Sequence, residues 1–88
     1  MSQRRIDWEL FSQEVVDHIT NYTVPQYGDK GEDPMTNYTA KELIQQVEKY
    51  CKRFGKNIRP GQQRLDLLKA AHCLQIAADK LEEQNDIA

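Results

Sequence analysis

The chain has 88 residues, 30% of them charged and 39% hydrophobic, and a formal net charge of -2. A 10.3 kDa chain suits one domain, 1–88, with a small core that buries roughly 60–70% of the unfolded surface on folding, and a partner chain is a natural way to complete such a core. The balanced charge excludes a surface basic enough to hold nucleic acid or membrane everywhere, so electrostatic binding must come from local segregation of charge.

No apolar run approaches the 18 residues needed to span a bilayer, and no membrane partner is expected. The start, Met1 to Leu10, has two arginines but lacks an apolar stretch and a small-residue cleavage site. Two cysteines, Cys51 and Cys73, are too few for a disulfide framework, so a reduced, cytoplasmic setting is expected. In that setting the two sequons, Asn21-Tyr22-Thr23 and Asn37-Tyr38-Thr39, have no glycosylation meaning.

The periodicity predicts an all-α fold of three helices, over 7–23, 39–55 and 60–83, with a loop over 24–38 and a frayed tail over 84–88. Asp7 is the expected N-cap of the first helix, with Glu9 in its first turn. Trp8, Phe11, Val15, Ile19 and Tyr22 follow at steps of three and four, which places them on one helical face. Pro25 is expected to end the helix, because proline has no N–H and pushes its predecessor out of helical geometry.

The connection that follows carries Asp29, Glu32 and Asp33, a weak candidate for a divalent cation because Mg²⁺ and Ca²⁺ take carboxylate oxygens. Their order fits no EF-hand, and a solvated turn explains them better. Connections of this length without periodicity tend to be functional or mobile.

Thr39 and Glu42 form a T-x-x-E capping box, with Tyr38 and Leu43 spaced as a hydrophobic staple across it. Inside the second helix Leu43, Val47, Tyr50 and Phe54 step by four, three and four, with Ile44 and Cys51 beside them. Gly55 or Asn57 is the expected left-handed residue at its end. The third helix is expected to start at or near Pro60. Leu67, Ala71, Leu74, Ala78 and Leu81 make a four-three stripe along it, while Leu65, Leu68, Ala70, Cys73, Ile76 and Ala77 extend apolar surface around it. A helix apolar on so many sides should touch both other helices or a second subunit.

Between Glu48 and Asp66 there is no acidic residue, and this window holds six of the chain's 12 lysines and arginines. Lys49, Lys52, Arg53, Lys56, Arg59 and Arg64 converge at the turn end of any hairpin made by the last two helices. With Gly61 and the amides of the third helix's N-terminus, they form a candidate phosphate site, since arginine's planar fork suits that anion. Cations at a helix C-terminus are also ordinary partners of its dipole.

His18, His72, Cys51 and Cys73 lack the paired spacing of structural zinc. No phosphate-binding glycine motif and no E-x-x-E helix pair is present. Nothing nominates a catalytic residue, a cofactor or an enzyme.

The segment Val47 to Leu74, read as VEKYCKRFGK followed by RLDLLKAAHCL, resembles a small helical family carried by bacteriophages and their hosts and sometimes fused to phage nucleotide kinases. Lys49, Tyr50, Arg53, Phe54, Lys56, Asp66, Leu67, Lys69 and Ala70 carry the resemblance. It implies a helical fold, a phage or mobile-element context, and a pairing of Asp66 with Arg53 or Arg64; it implies no defined activity. The expectation for function is a non-catalytic interaction or oligomerisation module, acting by self-association or on another protein. The alternatives are a phosphate binder for nucleotide or nucleic acid and an accessory domain of phage-type nucleotide metabolism.

Overall fold

A computed structural model describes residues 2–29, 37–56 and 59–87. Among these residues the structure is helical, with no strand: α1 (Gln3–His18), a π-helical turn (Ile19–Thr23), α2 (Val24–Tyr27), α3 (Ala40–Phe54) and α4 (Gln62–Ile87). The chain divides into two compact units, Met1–Asp33 and Pro34–Ala88. No described helix is long and apolar enough to cross a membrane.

In the first unit α1 begins four residues before the expected Asp7. Ser2 caps it, its hydroxyl accepting from the Arg5 amide at 3.4 Å. The added turn is held by side-chain pairs at i and i+4, Gln3 to Asp7 at 2.8 Å and Arg5 to Glu9 at 2.9 Å.

Pro25 does not end the helical run. It lies at the second position of α2, where its fixed φ is helical and its missing N–H costs one bond to the turn upstream. Immediately upstream the chain widens into the π turn, and the Val24 amide reaches back five residues to the Ile19 carbonyl. That widening absorbs the misfit a proline ring makes with the preceding turn. Gly28, at φ +86°, supplies the stop, its amide bonded to the Val24 carbonyl at 2.9 Å. Around the π turn the His18 ring stacks on Tyr22 at 5.1 Å, and Tyr22 meets the edge of Tyr27 at 6.4 Å.

The second unit is a hairpin of α3 and α4. Its start is as the sequence implies: the Glu42 amide donates to the Thr39 hydroxyl at 3.1 Å, and the Thr39 amide donates to the Glu42 carboxylate at 3.1 Å. Tyr38 packs against the buried cluster of Ala40, Leu43 and Ala77, of which Leu43 is fully buried.

The two ends joined by the turn differ from expectation. Gly55 is not left-handed but has φ −79°, and Asn57 lies outside the described residues. The positive φ falls on Gly61, at +79°. Pro60 and Gly61 take the two central positions of a type II turn, closed by the Gln62 amide on the Arg59 carbonyl at 3.1 Å. Helix α4 therefore begins at Gln62, after Pro60. It also runs on through the expected frayed tail to Ile87, with no glycine or proline inside it to break the ladder.

Two backbone predictions follow from this geometry. Thr39→Ala lowers stability by about 1 kcal/mol, through loss of the cap. Gly55→Ala is neutral or stabilising by up to about 1 kcal/mol, because its backbone is right-handed, whereas Gly61→Ala costs about 1–2 kcal/mol at a left-handed position. A methyl group meets nothing within 4 Å at either glycine, so urea unfolding reads the backbone term alone.

Candidate functional site

The hairpin is pinned by a polar contact between helices. Asp66 is 1% exposed, and Arg53 on α3 holds it from two nitrogens. Its Nε lies 3.1 and 3.3 Å from the two carboxylate oxygens, and Nη2 donates to Oδ1 as well. Gln62, one turn earlier on α4, adds an amide donor at 3.0 Å. The Arg53 guanidinium also lies over the Tyr50 ring at 5.2 Å, with the Lys69 ammonium 6.0 Å from the same ring. Of the two pairings the sequence left open for Asp66, the structure makes the one with Arg53.

The Arg53 hydrogen bonds, helped by Gln62 and by the charges of Arg53 and Lys69, hold the Asp66 carboxyl below its usual range, although burial pushes the other way. A perturbed carboxyl in a cleft can mark a catalytic site. Here every cause that lowers it is an internal partner, so the shift belongs to a structural ion pair.

The basic cluster is distributed around this pin. Lys49, Lys52, Lys56, Arg59 and Arg64 are exposed, whereas Arg53 is committed to Asp66. Gly61 serves the turn, and that turn consumes one of the amides at the start of α4. The Lys56 amide is bonded to the Arg53 carbonyl at 3.0 Å, and the Gln63 side chain caps the Phe54 carbonyl at 3.3 Å. The described polar groups at this end thus close the hairpin, while the lysines face solvent.

For the loop carboxylates, Asp29 is exposed, and Glu32 and Asp33 lie outside the described residues. Among the described residues no group of three or more His, Cys, Asp or Glu side chains could hold a metal ion. Cys51 is exposed and Cys73 buried, and the two form no disulfide.

A second feature is apolar. Helix α4 turns Asp66, Cys73 and Ala77 inward, so its regular stripe stays outside: Leu67, Leu74 and Leu81 are 47%, 49% and 53% exposed. These leucines are seven residues apart, with Ala71 and Ala78 between them. On α3, Ile44 and Phe54 are also exposed. Between the helices Tyr50, Cys51, Phe54, Leu67 and Ala70 line a shallow cleft of about 170 Å³ whose floor reaches Asp66. The exposed stripe and this cleft meet at Leu67.

The sequence marked the stripe but gave no sign that it would face outward. The one available clue was Asp66: an aspartate set between Leu65 and Leu67 faces inward only if a cation reaches it. Among known proteins nothing matches, whether family models, curated proteins or solved structures.

The ion pair makes stability pH-dependent in a defined direction. The folded pKa of Asp66 lies below the ordinary aspartate value of 3.8, so its contribution is present above that value and is lost as pH falls through the folded one. Asp66→Asn therefore flattens the loss of stability below about pH 4 relative to the wild type. Arg53→Met, which strands the carboxylate, costs about 2–4 kcal/mol at pH 7, less than a fully buried pair because water reaches Arg53. Chemical denaturation across pH 2.5–7 measures both.

Proposed function

We propose that the protein is a non-catalytic oligomerisation module whose docking face is the Leu67–Leu74–Leu81 stripe of α4 and the apolar cleft beside it. The observation that carries this reading is the exposure of about half of each of three leucines at seven-residue spacing on one helix. Scattered exposed leucines are ordinary on any surface. A seven-residue repeat is not scatter, because it keeps a helix seam facing one neighbour along its whole length.

Bookkeeping of area supports the same reading. Burying the exposed half of three leucines is worth about 1 kcal/mol each, a large gain for a chain of 88 residues whose total stability is on the order of 5–10 kcal/mol. A second helix laid along the stripe would recover it. The cations at the turn end remain as a source of orientation for such a partner. Phosphate binding is the weaker use of them, since the best fork in the cluster, Arg53, is already occupied by Asp66.

Sedimentation equilibrium of the full chain from about 10 µM to 1 mM tests the proposal. Mass should rise with concentration above the 10.3 kDa of one chain, and Leu74→Glu should hold it at the monomer value. Leu74 is half exposed, so far-UV circular dichroism of the variant should show unchanged helix. A wild type that stays monomeric throughout sinks the reading.

A further inference from the structure

We infer that the partner on this stripe is a second copy of the chain, and that the two α4 helices run antiparallel. The inference rests on the proposed docking face and adds the identity and direction of its occupant. The argument is the distribution of charge along the hairpin. Its turn end exposes Lys49, Lys52, Lys56, Arg59 and Arg64, with no described acidic side chain in that stretch. Its open end exposes Glu42, Asp79 and Glu82 against Lys41 and a half-buried Lys80, so cations gather at one end while the described carboxylates outnumber them at the other.

A parallel pair would lay five cations of one copy against the same five of the other. An antiparallel pair instead lays each basic end on an acidic one. A two-fold axis also makes every cross-seam contact occur twice.

The stripe itself fits this direction. Leu67 to Leu81 spans about 21 Å of helix. With the two-fold axis crossing α4 within one turn of Leu74, Leu81 of the second copy comes to the level of Leu67 and the open cleft. Arg64, one turn before Leu67, comes to the level of Glu82 of the second copy. Ala71 and Ala78 leave room for the facing leucines, since alternating large and small residues interdigitate. Cys51, exposed on the cleft wall, then lies under the seam.

Charge reversal in the full chain tests direction separately from association. In the antiparallel pair Arg64→Glu and Glu82→Arg each set like charges face to face twice, so each weakens the dimer about five- to tenfold. The double variant Arg64→Glu/Glu82→Arg restores wild-type affinity. Raising salt from 50 to 500 mM weakens the wild-type dimer. Both substitutions suit the helix dipole, with an acid in the first turn and a base toward the end, so the folded hairpin is retained and thermal melting checks this.

A dimer that ignores both single reversals and tightens with salt overturns the antiparallel direction while leaving the docking face in place. A chain that never dimerises removes the docking face itself. As an independent readout, Cys51 should react with a maleimide at least several-fold more slowly at dimer-forming concentration than in the Leu74→Glu variant, with Cys73 buried in both. Equal rates would contradict the seam.

Discussion

Asp66 is the residue on which the hairpin turns. A carboxylate that is 1% exposed survives in an apolar interface only when it is paired and hydrogen-bonded, because the cost of stranding it there is several kcal/mol. Arg53 and Gln62 together meet that condition. The pair's net contribution to stability is modest by the same arithmetic. Its effect is on which face of α4 meets α3: rotating the helix by one residue would place Leu67 where Asp66 stands and leave Arg53 facing a methyl group.

The packing around the pin is consistent with that choice. Ala40, Cys73 and Ala77 are small and buried, and they let the two helices approach while Leu43 fills the space between them. The consequence is an inversion of the usual amphipathic reading. The face of α4 with an aspartate and small residues is inside, and the regular leucine stripe is outside. A chain with so small a core leaves that much apolar surface in water at a cost, unless association removes it. The ionic pin and the exposed stripe are therefore two results of one geometric choice.

The turn end shows how local backbone chemistry shapes the same region. The Pro60–Gly61 turn sets the start of α4, and Gln63 reaches back to the end of α3. Groups that could have faced a phosphate are spent on closing the hairpin, which leaves the lysines as a field more than a pocket. Opposite them, the acidic open end gives the hairpin a lengthwise polarity. In the first unit the π turn has a comparable local role, carrying the helical run past Pro25 and bringing His18, Tyr22 and Tyr27 to one side.

Much of this was legible in the residues. Thr39 and Glu42 determined the start of α3, because a capping box is satisfied within four residues and needs no distant partner. Helical periodicity determined the class of fold, and the absence of glycine and proline allowed α4 its length. The segregation of cations was likewise visible, and so was an arginine partner for Asp66. Boundaries differ from expectation where two local signals competed: Ser2 outdid Asp7 as a cap, the π turn accommodated Pro25, and Gly55 ends α3 with a right-handed backbone. Tertiary structure alone decided which side of α4 is buried. Sequence pattern records how apolar each face is, but a buried charge is placed by the partner that can reach it, and Arg53 reaches Asp66 only once the two helices lie side by side.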